Sequence, residues 1–216
     1  MDFAGAYTWD HIWFMIEGLG VTLKVAAIAI VFSFLIGCVL GTIRYTKFPV
    51  ISQLTALMVE TIRNLPLLLI IFFTFFALPE IGIKLSVVNA AIVALTIFEA
   101  AMISEIVRSG LKSIDKGQIE AARSSGLSYL QTLWHIVLPQ ALRRMVPPMV
   151  SQFISLLKDT SLAVVISLGE LMHNAQIING QNVNFVIPIL LLTAVMYFIV
   201  NYSLSIVARR LEARQV

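Results

Sequence analysis

Charged side chains are scarce in this sequence. Of its 216 residues only 12% are charged, whereas 59% are hydrophobic, and soluble domains carry roughly a quarter charged residues. A bilayer core about 30 Å thick requires roughly 20 apolar residues per helical span, and several stretches meet that requirement. The composition therefore excludes an ordinary soluble domain. It predicts an all-α polytopic membrane protein in which residues 1–216 form a single membrane domain.

Cysteine and histidine are nearly absent as well. The one cysteine, Cys38, lies in an apolar run, so one copy cannot form a disulfide or a thiolate metal site. His135 and His173 have no second ligand at metal-binding spacing. No glycine-rich loop ends in Gly-Lys-Ser/Thr, so we expect the chain to bind no ATP, metal or other cofactor and to contain no catalytic residue.

The first residues lack the basic segment and small-residue cleavage site of a removable signal peptide. We therefore expect the first apolar helix to remain as a span. Trp9 and Trp13 precede it at helical spacing, which favours a short amphipathic helix at the outer membrane interface.

Five apolar runs predict five transmembrane helices, at about 19–40, 51–77, 87–107, 146–168 and 185–207. Cations follow spans one, three and five, whereas the loop after span two offers only Lys84 and the loop with Glu170 and His173 offers none. The positive-inside rule then puts the N-terminus outside and the C-terminus in the cytoplasm. This topology, rather than nucleic-acid binding, accounts for the basic pI. The flanking cations are Arg44, Lys47, Arg108, Lys112, Lys116, Arg123, Arg143, Arg144, Arg209, Arg210 and Arg214.

An odd number of spans cannot divide into two equal inverted repeats. A pathway enclosed by helices is easier to build from two copies, or from one copy and a close relative, around a symmetry axis. We therefore expect a dimer.

The segment 108–144 between spans three and four predicts two short helices. Asp115 can cap the first and Gly126 can end it in the left-handed conformation. Ser128 and Gln131 form a capping box for the second, which Pro139 should end. Two short helices at a fixed angle would present a rigid knob to a soluble partner.

This loop resembles the EAA signature, the coupling loop of ABC importer permeases. The matching residues are Glu120, Ala121, Ala122, Gly126, Ile136, Leu138 and Pro139. The resemblance implies that the loop docks on separate ATPase subunits, that an extracytoplasmic solute-binding protein delivers the solute, and that the protein lies in a prokaryotic plasma membrane.

Further strings narrow the resemblance to polar amino acid permeases of the glutamine and glutamate group. The sequence departs from many relatives in one string, since it has Arg-Asn-Leu-Pro where they have Arg-Gly-Thr-Pro. The strings span residues 63–66, 104–108, 116–118, 138–141 and 158–162. A permease for another small polar solute, such as cystine or an opine, fits the same architecture. An ATP-independent channel or secondary transporter and a membrane scaffold are alternatives from other classes.

Ionisable residues within a span cost on the order of 2.5 to 3.5 kcal/mol each, so they need a partner, a wet cavity or a function. Glu60 and Arg63 are three residues apart and can pair along one helix face. Pro66 should kink or break span two, and a broken helix can line a substrate pathway or merely curve an overlong span.

A second group of polar residues lies in spans three and four. Asp159 is followed by Thr160 and Ser161, a grouping that suits the ammonium group of an amino acid. Glu99 lies beside two small residues in span three and could contact a ligand. For each carboxylate the alternative is a structural role, in which the side chain holds neighbouring helices together. The predicted pathway set is thus Arg63, Pro66, Glu99, Asp159, Thr160 and Ser161.

Overall fold

The computed structural model describes residues 1–46 and 48–213, so the predicted flanking cations Lys47 and Arg214 lie outside the described residues. Within these residues the chain is helical and contains no strand. The α-helices are α1 (Phe3–Ala6), α2 (Trp9–Thr46), α3 (Ile51–Asn64), α4 (Leu67–Phe72), α5 (Val87–Lys112), α6 (Lys116–Ser124), α7 (Tyr129–Thr132), α8 (Leu138–Asp159), α9 (Leu171–Gln181) and α10 (Val186–Ala213).

Four helical stretches of the described chain are long and apolar enough to cross a membrane, namely Trp9–Thr46, Val87–Lys112, Tyr129–Ile166 and Val183–Arg210. A fifth span results if α3 and the stretch Leu67–Ile81, which meet at a bend of 103°, are one broken helix. The predicted polytopic fold with a helical loop between spans three and four is confirmed.

The first span is longer than predicted. Its 38 residues make a helix of about 57 Å, and Trp9 and Trp13 lie stacked in its first turns with ring centroids 6.3 Å apart. The prediction of a separate amphipathic helix at these tryptophans was wrong, because the helix continues from them into the span without a break. The separate short helix is α1, which Asp2 caps.

Helices α2 and α5 pack closely through two glycines four residues apart. A Cβ atom at Gly37 would lie 2.6 Å from the Cγ2 atom of Ile103, and one at Gly41 would lie 2.7 Å from the Ser104 carbonyl oxygen. Small residues at this spacing let two membrane helices approach backbone to backbone.

Span two is broken at Pro66, as predicted. Leu65 is extended, with φ −89° and ψ 144°, and Pro66 is extended too, with φ −61° and ψ 131°. A residue before proline disfavours the helical conformation, and proline has no N–H to continue the helix. After α4 the span continues as a π-helical turn, Phe73–Ala77, and a 3-10 turn, Leu78–Ile81.

Pro139 does not end the helix before it, contrary to the prediction. The chain remains helical through α7, a π-helical turn at Leu133–Val137, and α8. In this wide turn the Leu138 N–H bonds to the Leu133 carbonyl five residues back. Pro139 lies in the first turn of α8. The ring of a proline clashes with the preceding turn of a regular α-helix, but here the preceding turn is a wider π turn, so Pro139 is accommodated.

Helix α9 follows span four, where the sequence predicted only a loop. The Glu170 carboxylate, fully buried, caps it by accepting the N–H groups of Met172 and His173 at 2.9 and 2.7 Å and also accepts the Tyr197 hydroxyl at 3.0 Å. Burial nevertheless raises the pKa of the Glu170 carboxyl. The Asn174 amide donates to the Phe14 carbonyl at 2.7 Å and thereby fixes α9 against α2.

The buried side chains form three clusters along the bundle. One lies at the end that carries α6 and includes Val107, Leu111 and Met145. The second, around Leu171 and Ile178, lies at the opposite end. The largest lies between them, where α2, α4 and α5 meet the end of α8.

Candidate functional site

Two helix discontinuities meet in the central cluster. Helix α4 begins after the break at Pro66 and buries Leu67 and Ile71 there, while the 3-10 turn Thr160–Ile166, which replaces α8 after Asp159, buries Ala163 and Ile166. Broken helices in the middle of a membrane protein expose backbone and side-chain polar groups that a continuous helix would satisfy. We therefore expect a site for a polar solute in the middle of the bundle.

Asp159 is the last residue of α8 and is half-buried. Within the described chain its carboxylate has no cation within 4 Å and accepts no hydrogen bond. The Thr160 hydroxyl donates to the Leu157 carbonyl at 2.7 Å, and the Ser161 hydroxyl donates to the Lys158 carbonyl at 2.8 Å. Both hydroxyl protons are thus engaged, which leaves the oxygen atoms of the three side chains as hydrogen-bond acceptors, that of Thr160 fully buried.

Glu99 lies at the midpoint of α5 and is 1% exposed. Its Oε2 atom accepts a hydrogen bond from Gln152 Nε2 of α8 at 3.1 Å, whereas its buried Oε1 atom has no partner among the described residues. The hydroxyl of Thr96, one helical turn earlier, is also buried and has no partner in the described part of the chain. Buried polar atoms are normally paired, so the Glu99 oxygen and the Thr96 hydroxyl mark a place where a hydrogen-bonding partner is expected.

Gln152, which donates to Glu99, lies two turns before Asp159 on the same face of α8, so the Glu99 and Asp159 carboxylates face one region of the bundle. We call Glu99, Asp159, Thr160 and Ser161 the acceptor cluster. These four residues were predicted from the sequence as pathway residues, whereas Gln152 and Thr96 were not. An uncharged polar residue within a span is not unusual until its neighbours are known.

Arg63 belongs to a different group, a charge network that joins α2, α3 and α5. The predicted pair exists, with Arg63 Nη1 3.3 Å from Glu60 Oε1. Arg44 contacts Glu60 at 3.1 Å and Glu105 at 2.9 Å, and Glu105 also pairs with Arg63 and Arg108. From the sequence alone Arg44 is only a flanking cation, since its partners are 16 and 61 residues away.

The network lies between the acceptor cluster and α6. Glu105 is six residues beyond Glu99 on α5, a rise of roughly 9 Å toward the α6 end. The Arg44 side chain is only 5% exposed, and its Nε atom has no partner within residues 1–46 and 48–213. A buried guanidinium held by two carboxylates ties three helix ends together.

The loop after α5 forms the predicted knob. Asp115 caps α6 by accepting the Gly117 N–H at 2.6 Å, and Gly126, at φ +88°, follows the helix. The Leu127 N–H bonds to the Ala122 carbonyl and the Gly126 N–H to the Arg123 carbonyl, which together make a complete Schellman motif. Ser128 and Gln131 form the predicted capping box.

The two faces of α6 differ. Glu120 and Ala121 are exposed, and within the described chain Glu120 has no hydrogen-bond or ion-pair partner, whereas Ala122 is buried. The Gln140 amide donates to Gln118 Oε1 at 2.6 Å, which fastens α6 to α8. Of the other predicted coupling residues, Ile136 and Leu138 are half-buried and Pro139 is exposed. The knob therefore presents Glu120 and Ala121 on an exposed face with a fixed support.

Broken spans around a polar cluster, joined by a charge network to a rigid loop, define a membrane permease. Residues 29–216 match the family described as binding-protein-dependent transport system inner membrane component, and the chain belongs to that family. It is a multi-pass inner-membrane protein and a permease subunit of an ABC importer, as the EAA loop indicated.

Individual relatives agree with this assignment. The chain is 73% identical, over the whole length of both proteins, to the probable glutamine ABC transporter permease protein GlnP of Bacillus subtilis (strain 168). It is 38% identical to the probable glutamine ABC transporter permease protein GlnM of the same organism, over 95% of this chain and 94% of GlnM. Its fold matches the crystal structure of an amino acid ABC transporter with histidines, with a TM-score of 0.92, 27% identity and 99% of each chain covered.

Proposed function

We propose that this chain translocates polar amino acids, glutamine or glutamate first among them, into the cytoplasm by alternating access. The names of its relatives support this substrate class. The observation that carries it in the molecule is the acceptor cluster, which lies where two broken helices meet at the middle of the bundle. Two carboxylates that meet no cation of the described chain suit the ammonium group that every amino acid carries.

The knob is the proposed contact with the ATPase. Helix α6 is held at both ends and by Gln118, so a push on its exposed face at Glu120 and Ala121 passes to α5 and α8 rather than bending a loop. ATP and Mg²⁺ would remain on the ATPase subunits. A loaded solute-binding protein would dock at the opposite end, around α1 and α9. This requires the α6 end in the cytoplasm and the N-terminus outside, as the cations predict.

A second permease copy, identical or closely related, completes the proposal. Lys158 is exposed in span four, and no carboxylate of the described chain lies within 4 Å of its ammonium group. A charge at that depth is costly unless it meets a partner or water. An interface or a wet pathway between two copies would supply one.

Another small polar solute, such as cystine or an opine, fits the same geometry, because an acceptor cluster recognises an ammonium group and not a particular side chain. An ATP-independent channel or secondary transporter is opposed by family membership. A scaffold would leave the unpaired carboxylates without a function.

The test is uptake of labelled glutamine into proteoliposomes that contain the chain with its ATPase, supplied with the binding protein and ATP, while unlabelled amino acids, cystine and opines compete. We expect ATP-dependent uptake that glutamine or glutamate blocks best. Asp159→Asn should reduce uptake at least about tenfold, whereas Asp10→Asn, an exposed carboxylate at the start of α2, should not. Uptake without ATP would refute the coupling, and an active Asp159→Asn would refute the role of the cluster.

A further inference from the structure

A basic cavity lies beside the knob, at the α6 end of the bundle. It has a volume of about 540 Å³ and is formed by the ends of α2 and α5 and the starts of α6 and α7. Four cations line it, namely Arg44, Arg108, Lys112 and Lys116. Arg44 and Arg108 are paired with carboxylates. Lys112 and Lys116 are exposed, and no carboxylate of the described chain lies within 4 Å of either ammonium group.

An apolar groove of about 560 Å³ adjoins this cavity, and the two share Tyr45, Thr46, Leu111 and Tyr129. Its wall is almost entirely hydrocarbon and aromatic, with Trp134 on one side and Phe34 at the far end. Trp134 is 63% exposed, so the groove opens outward.

The groove matches one membrane leaflet in depth. From Thr46 to Phe34 it follows twelve residues of α2, a rise of roughly 18 Å, and half of a bilayer core is about 15 Å thick. A lipid with its headgroup at the basic end would therefore have room for one acyl chain along the length of the groove. The hydroxyls of Tyr45 and Tyr129 at the junction make no hydrogen bond within the described chain.

The geometry points to a binding site for an anionic phospholipid. The headgroup phosphate lies between Lys112 and Lys116, within reach of the two tyrosine hydroxyls, and one acyl chain lies along the groove past Trp134. Basic pockets beside membrane helices select anionic headgroups in this way, because the phosphate of a zwitterionic lipid carries its own counter-charge. The bound lipid would pack between the knob and α2, and would thus make the knob's position sensitive to membrane composition.

The three tryptophans allow a direct test, since Trp134 lies in the groove and Trp9 and Trp13 lie at the other end of α2. The full chain with Trp9→Phe and Trp13→Phe is reconstituted in vesicles of phosphatidylcholine that contain brominated phosphatidylglycerol or brominated phosphatidylcholine. Quenching of Trp134 fluorescence then reports the relative affinity for the two lipids. We expect the anionic lipid to bind at least about fivefold more strongly.

Lys112→Gln with Lys116→Gln should bring the two affinities to near parity. The charge-matched control, Arg143→Gln with Arg210→Gln, removes two exposed cations near the same end that do not line the cavity, and should retain the preference.

Equal quenching by both lipids in the starting protein, or equal loss of the preference in the control, would overturn the site. Absence of quenching by either lipid would show that protein covers the groove, and loss of the preference on adding inorganic phosphate would show that a free anion suffices. Either result overturns the lipid assignment.

Discussion

At residue 126 the backbone adopts φ +88°, and the two hydrogen bonds that end α6 depend on it. A Cβ atom there would meet nothing within 4 Å. The cost of an alanine is therefore only that of holding its backbone in the left-handed conformation, about 1–2 kcal/mol. We predict that Gly126→Ala lowers the ATP hydrolysis that loaded binding protein stimulates in the reconstituted complex severalfold, because the docking surface loses its fixed angle.

Gly82 supplies the matched control. It has φ +87° and equally open surroundings, but it lies at the opposite end of the bundle from α6. Gly82→Ala should lower the melting temperature about as much as Gly126→Ala and leave stimulated hydrolysis near its original rate. Equal losses of hydrolysis in both variants would reduce the role of Gly126 to stability.

Glu99 tests whether the acceptor cluster serves the solute or only the fold. Glu99→Gln retains an acceptor for Gln152 but removes the charge from the unpartnered Oε1 atom. We predict uptake at least about tenfold lower, since hydrogen bonds to charged groups contribute about 1.5–3 kcal/mol, with an unchanged or higher melting temperature. A lower melting temperature with normal uptake would instead identify Glu99 as a bond between α5 and α8.

The role of a single residue could be predicted from the sequence where that residue is unusual for its surroundings. A carboxylate in an apolar run, a proline within a span and a glycine after a short helix each carry their own physical requirement, and Glu99, Pro66 and Gly126 were found in that way. Gln152 and Arg44 acquire their significance from distant partners, which no local pattern contains.

Among elements, the charge network carries the contact between α2, α3 and α5. Glu105 pairs with three arginines, one of which, Arg44, is nearly buried. We predict that Glu105→Gln destabilises the protein by about 2 kcal/mol. This is less than the 3–5 kcal/mol of a fully buried broken pair, because Glu105 and two of its partners are partly exposed.

Thermal unfolding in detergent measures this change, and Glu120→Gln is the control. Glu120 is an exposed carboxylate without a partner in the described chain, so its change should stay within about 0.5 kcal/mol. A Glu105 variant as stable as the Glu120 variant would mean that the network contributes specificity of packing and little stability.

The helices themselves were predictable to different degrees. Spans one, three and five follow from length and hydropathy alone, and the break at Pro66 follows from the chemistry of proline. Pro139 has the same chemistry but does not end its helix, because the π turn before it widens the helix. Helix α9 went unpredicted, since its eleven residues are short of a span and contain Asn174, Asn179 and Gly180, and its stability comes from Glu170 and from contacts with α2.

Over the whole molecule the cations divide unequally between the two ends. Within the described chain, the end opposite α6 has Lys84, and Lys24, Arg63 and Lys158 lie within the spans. The cations at the α6 end are Arg44, Arg108, Lys112, Lys116, Arg123, Arg143, Arg144, Arg209 and Arg210. Cytoplasmic loops collect lysine and arginine because translocating them is disfavoured. We therefore predict that α6 faces the cytoplasm and α9 the outside.

Cysteine labelling decides this orientation. In a Cys38→Ala background, a membrane-impermeant maleimide should modify Val183→Cys, a position 86% exposed just after α9, in right-side-out vesicles, and Ser124→Cys, exposed at the end of α6, only in inside-out vesicles. The parent without cysteine should stay unlabelled in both. The reverse pattern would mean that α6 faces the outside and α9 the cytoplasm. It would separate the knob from any cytoplasmic ATPase, and the proposed coupling through Glu120 and Ala121 would fail even though the fold and the family assignment would stand.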